Sequence, residues 1–95
     1  MEHPSTWTFL TNHAHVLIAI ATDPGLRVRD VAVDVGITER AAQRILHDLV
    51  EGGYVQRQKQ GRRNSYRLVL DRPMRHPIAA QHTVGELIEV LCTGH

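Results

Sequence analysis

A single cysteine, Cys92, stands in the 95-residue sequence, so no disulfide can close within the chain and a reducing compartment is its natural setting. Aromatic residues are equally scarce at 4%, and the helical and strand positions of Trp7, Phe9, Tyr54 and Tyr66 assign them to packing rather than to stacking on unpaired bases. The longest strongly apolar stretch, Val16 to Ala21, is far short of the roughly 20 residues that span a bilayer. A basic leader followed by an apolar segment is also missing at the N-terminus. These absences make a cytoplasmic protein without membrane contact the expectation. No nucleophile with a paired base, no phosphate-cradling glycine loop and no metal triad is present, so catalysis is not expected and no cofactor is implied.

Acidic residues are missing from one long segment. Between Gly52 and Leu70 the chain carries Arg57, Lys59, Arg62, Arg63 and Arg67 and not one carboxylate, although the formal net charge of the whole is only +1. For a nucleic-acid partner the distribution of charge matters more than its sum, and this segment is the electropositive part of the molecule.

What remains is ordinary globular composition, 42% hydrophobic and 22% charged, in a length suited to one domain. Trp7, Leu10, Ala14, Leu17, Ile18 and Ala21 recur at spacings of three and four, which predicts an amphipathic helix from Thr6 to Thr22. Asp23, Pro24 and Gly25 stop it. Leu26 to Val28 reads as a short strand or extended segment. Val31, Ala32 and Val35 then mark a short second helix that ends at Gly36, a residue suited to a left-handed cap. Thr38 is the expected N-cap of a third helix running to about Glu51. Its apolar face is Ala42, Ile45, Leu46, Leu49 and Val50, opposite Arg40, Gln43, Arg44 and His47. Tyr54 to Lys59 and Asn64 to Leu70 read as two strands joined through Gln60 to Arg63. A linker over 71–78, with Pro73 and Pro77, leads to a last helix over 79–92, where Thr83 and Glu86 have capping-box spacing. One domain over 1–95 is therefore expected, with a core over 6–70. Its class is mainly α with a small β-hairpin (α+β): a three-helix core plus a C-terminal helix.

Helix, short helix, tight turn, helix and basic hairpin, in that order, describe a winged helix-turn-helix. The second helix of such a pair must fit the major groove, about 12 Å wide, while the first braces it. Ala32 lets the two helices approach, and Gly36 makes the turn. The stretch from Leu26 to Leu68, through the run RVRDVAVDVGITERAAQRILHDLVEGGYVQRQKQGRRNSYRL that begins at Arg27, resembles winged-helix regulators of the MarR and ArsR type. The most telling part is a helix ending in Leu49, Val50, Glu51, Gly52, Gly53, Tyr54 and Val55, followed by a basic hairpin closed by Tyr66 and Leu68.

The resemblance implies sequence-specific binding of double-stranded DNA as a homodimer on an inverted repeat. It assigns base reading to Arg40, Gln43, Arg44 and His47. Arginine can bind guanine O6 and N7, and glutamine adenine N6 and N7, in bidentate fashion. Thr38 and the free amides behind it would face phosphate. Arg57, Lys59, Arg62 and Arg63 would neutralise phosphate from the wing, with Asn64 and Ser65 adding neutral hydrogen bonds. Arg29 is a further phosphate candidate, although it departs from the small polar cap usual there. Glu39 would be repelled by phosphate but favours the helix N-terminus.

Val84, Leu87, Ile88 and Leu91 form a stripe that a 70-residue winged helix does not obviously need, and with Trp7 and Leu10 they are the expected dimer interface. The alternative is that the last helix folds back on its own chain. No metal site is expected: His13 and His15 point to different faces of a helix, and the paired cysteines of metal-sensing regulators are missing from Val28 to Gly36. His76, His82, Cys92 and His95 could meet only across a dimer. The rival function is a protein-interaction module without DNA contact, which a basic wing disfavours. A small-molecule effector is left open.

Overall fold

Thr11 decides where the first helix begins. The computed structural model describes residues 7–92, the side chain of Gln60 excepted, so Thr6 and His95 lie outside the described residues. In it α1 spans Asn12–Thr22, with extended Thr11 as N-cap and its side chain accepting from the Ala14 amide. The helix expected from Thr6 is thus shorter. The Thr8 hydroxyl donates to the Leu10 carbonyl, a local bond that competes with helix formation. Trp7 and Phe9 precede the helix and stay 63% and 91% exposed, packed edge to face on each other with ring centroids 5.1 Å apart. Core positions were expected for both; only Tyr54 and Tyr66 are buried.

Asp23 ends α1, its carboxylate accepting from the Gly25 amide at 3.1 Å. Arg27 is extended and α2 follows directly over Val28–Val35, so Leu26 to Val28 form no strand. Gly36 lies in the left-handed region at φ 86°, where a side chain would be strained. The amides of Gly36 and Ile37 both donate to the Ala32 carbonyl. Thr38 then caps α3, Glu39–Glu51, accepting from the Ala41 amide, as its sequence position predicts.

Strands β1 (Val55–Gln60) and β2 (Arg63–Leu68) pair antiparallel, with Gln60 opposite Arg63 and Val55 opposite Leu68. The connection is two residues, Gly61 and Arg62, rather than the four expected. Gly61 has φ 64°, and among the described residues no other has positive φ apart from Gly36 and Gly53. That is the sign pattern of a type II′ turn, whose twist matches that of the paired strands.

The segment after β2 is strapped to the core. Tyr54 donates its hydroxyl to the Pro73 carbonyl at 2.6 Å, and Arg72 donates to the Gly52 carbonyl at 3.1 Å. Pro77–Ala79 makes one 3-10 turn capped by His76, and the last helix, α4, covers Val84–Cys92, five residues later than expected. Glu86 accepts from the Thr83 amide at 2.7 Å while the Thr83 hydroxyl accepts from the Glu86 amide at 3.1 Å, completing the capping box.

Val16, Ile20, Val31, Leu46 and Val55 centre the core, and α4 adds Val84 and Ile88 to it, at 5% and 8% exposure. Two residues of the stripe expected at a dimer interface therefore lie in the core. Val84 and Ile88 are buried in their own chain, because α1 and the base of the hairpin leave an apolar flank at Ile20, Tyr66 and Leu68 that α4 covers. Leu87 is half-buried, as is Leu10, whereas Leu91 and Val90 are exposed.

Candidate nucleic-acid interface

Burial of Ala42, Ile45, Leu46 and Leu49 turns the opposite side of α3 outward. Arg40, Arg44, His47 and Glu51 succeed one another there at spacings of four, three and four, a single stripe at helical period. Gln43 flanks the stripe on one side and Asp48 on the other. All six are exposed. Arg40, Gln43, Arg44 and His47 make no hydrogen bond or ion pair among the described residues. Asp48 and Glu51 lie towards the C-terminal end, while Arg40 and Arg44 occupy the first two turns together with Glu39 at the helix start, the part of a recognition helix that reaches base edges.

On its α1 side the stripe is held by one contact. His13 Nε2 lies 2.9 Å from Asp48 Oδ2, and that hydrogen bond, ahead of weaker charge effects from His13, His47 and Arg44, holds the Asp48 carboxyl below its ordinary value. Sequence reasoning missed this pair because 35 residues separate its members.

The strand register sorts the wing. Asn64 lies opposite Lys59 and Tyr66 opposite Arg57, while Ser65 lies opposite Gln58 and Arg67 opposite Gln56. Cross-strand partners share a face, so Arg57, Lys59 and Asn64 occupy one side, Arg63, Ser65 and Arg67 the other, and Arg62 the turn. The five cations that form one patch in the sequence are therefore divided in space. Two of the expected wing contacts already have partners within the chain. Arg63 donates to the Gly25 carbonyl at 2.6 Å, tying the wing to the loop between α1 and α2, and the Ser65 hydroxyl donates to the Gln58 carbonyl at 3.4 Å.

Arg29 is exposed in the first turn of α2. Beside it the structure adds a residue that sequence reasoning missed. Arg27 is the N-cap of α2 and makes no side-chain capping bond; with Arg62, Arg63 and Asn64 it lines a concavity of about 400 Å³ that has no acidic lining residue. Three guanidinium groups without a carboxylate suit a phosphodiester. Sequence reasoning puts the missing small polar cap at Arg29, whereas the cap position is Arg27 and Arg29 lies within the first turn.

The histidines are dispersed. His15 bonds Asn12 at 3.1 Å, His76 accepts from the Ile78 amide, and His82 lies 3.4 Å from Glu86. Among the described residues no three His, Cys, Asp or Glu side chains could hold a metal ion together.

A three-helix core that bares its third helix beside a basic two-stranded hairpin defines a winged helix-turn-helix protein. A model of the MarR family matches residues 8–63, more than half of the 95-residue chain, and the chain belongs to that family. It is a winged-helix transcription regulator, and members of this family are regulators rather than enzymes. A search of curated proteins finds no match. No helix among the described residues is long and apolar enough to cross a membrane.

Proposed function

We propose that the chain binds double-stranded DNA sequence-specifically as a homodimer and acts as a repressor. Each α3 enters a major groove, the two grooves lying about 34 Å apart on a pseudo-palindromic site. Arg40, Gln43, Arg44 and His47 read base edges. Arg29, Arg57, Lys59 and Arg62, joined by Arg27, neutralise phosphate, while Thr38 and the first amides of α3 meet the backbone. The observation that carries this reading is the outward stripe of α3, whose four long polar side chains are bound to nothing among the described residues and adjoin an acid-free hairpin. Trp7, Leu10, Leu87 and Leu91 supply apolar surface for the partner subunit. Repression follows from occlusion of a promoter by the bound dimer.

Fluorescence anisotropy against the gene's own upstream region and against random duplexes, from low to moderate salt, tests it. Arg27, Arg29, Arg57, Lys59 and Arg62 from both subunits give a log-log salt slope of about −9. The reading expects tighter binding to the upstream duplex. No binding at low salt would replace it with a protein-interaction module.

A further inference from the structure

The structure assigns His13 a role in base reading that it performs without touching DNA: we propose that it is a positioning residue that draws the Asp48 carboxylate aside and so leaves the Arg44 guanidinium free for guanine. The inference rests on the DNA-binding reading above.

Arg44 and Asp48 stand four residues apart on α3, a spacing at which an arginine and an aspartate on a helix surface form an ion pair. A carboxylate also presents two oxygens to the same guanidinium fork that O6 and N7 of guanine would engage. Left alone, Asp48 therefore competes with DNA for Arg44 within its own helix. The chain does not make that pair. The only two ion pairs among the described residues are His13 with Asp48 and His82 with Glu86. Asp48 Oδ2 instead meets His13 Nε2 at 2.9 Å, reaching from the edge of the recognition stripe towards α1.

Both members of the pair are about half exposed, 46% and 53%, so its contribution to folding is small and its loss leaves the core of α1 and α3 intact. The titratable groups around the carboxylate are His13 from α1 and His47 and Arg44 from α3 itself, with Glu51 and Arg75 lining the same concavity. When His13 is removed, Arg44 is the permanent cation that already acts on the carboxylate and stands at ion-pair spacing on the same helix, whereas Arg75 must be drawn in from the segment after the hairpin.

The test compares wild type with His13→Ala, Asp48→Asn and the double variant, all checked for an unchanged thermal transition. An exposed pair at this spacing is worth about a twofold competition at each subunit, or about fourfold for a dimer. His13→Ala is expected to weaken binding to the specific duplex about fourfold and to relax preference at the base pair read by Arg44. Asp48→Asn is expected to bind no more weakly than wild type, and the double variant to return to the Asp48→Asn level. In the free protein, the Arg44 Nε–H resonance should shift in His13→Ala and return in the double variant. A double variant as weak as His13→Ala, or a His13→Ala protein with wild-type affinity and an unmoved Arg44 resonance, overturns the proposal. A shifted resonance with no DNA binding by any variant, wild type included, overturns the DNA-binding reading and this role for His13 with it, while the rearranged ion pair stands.

Discussion

Replacing Gly85 by alanine separates two effects of opposite sign. Alanine is the better helix former, by up to about 1 kcal/mol in a helix interior, so local propensity alone predicts that the change stabilises α4. Packing predicts the reverse. A Cβ at this position would stand 2.6 Å from the Leu70 carbonyl oxygen and 2.9 Å from Leu70 Cβ, and the Gly85 amide donates to that same carbonyl at 2.8 Å. The neighbour is backbone rather than a flexible tip, so α4 must lift away from the end of the hairpin. Overpacking of this kind costs about 1–3 kcal/mol, and weakening the Gly85 to Leu70 bond adds about 0.5–1.5 kcal/mol. With the propensity gain set against these, the net loss is about 1–3 kcal/mol. In a domain of this size each kcal/mol lowers Tm by roughly 4–8 °C. Urea and thermal unfolding of wild type and Gly85→Ala measure it. A variant as stable as wild type, or more so, would refute the reasoning, because it would mean that α4 does not dock against Leu70.

Ile20, 2% exposed at the centre of the core, should cost about 2–5 kcal/mol when cut to alanine, read as a lower urea midpoint with little change in the slope. The Asp48 and Glu86 carboxyls are held below their ordinary values of 3.8 and 4.5, by the His13 hydrogen bond and the Thr83 amide respectively. A depressed carboxyl contributes stability above its unfolded value and loses it as pH falls through the folded one. Acid should therefore lower the urea midpoint, and less so in Glu86→Gln, which keeps the capping acceptor but does not titrate; equal acid sensitivity in the two proteins would count against the capping contact. Arg63→Ala should lower stability by about 0.5–1.5 kcal/mol through its lost bond to the Gly25 carbonyl, whereas Arg62→Ala, at the exposed turn, should leave the unfolding curve in place.

How far the sequence could be read depended on the range of the interactions involved. The boundaries of α3, the left-handed turn at Gly36 and the capping box at Thr83 and Glu86 are written in neighbouring residues, and each stands where its sequence signal placed it. The start of α1 misled, because Trp7 and Leu10 extend a helical spacing backwards past Thr11, whose side chain stops the helix. The hairpin turn came out two residues long because Gln60 and Arg63 pair across Gly61 and Arg62, a matter of register that composition does not reveal. Contacts between distant segments were not legible at all. The His13 to Asp48 bond, the Arg63 to Gly25 tie, the Arg27 concavity and the docking of α4 on Leu70 all depend on the assembled fold. The last of these moved Val84 and Ile88 from a presumed partner surface into the core.

The central claim, that α3 reads bases while the wing holds the backbone, is tested most directly by comparing Arg44→Ala with Arg62→Ala on the specific duplex and on single-base variants of it. Arg44→Ala should lose about 1–3 kcal/mol of discrimination at one base pair in each half-site. Arg62→Ala should weaken binding to every sequence alike and reduce the salt slope by about 1 for each subunit. Uniform weakening by both variants, with no base pair singled out by Arg44, would contradict the account.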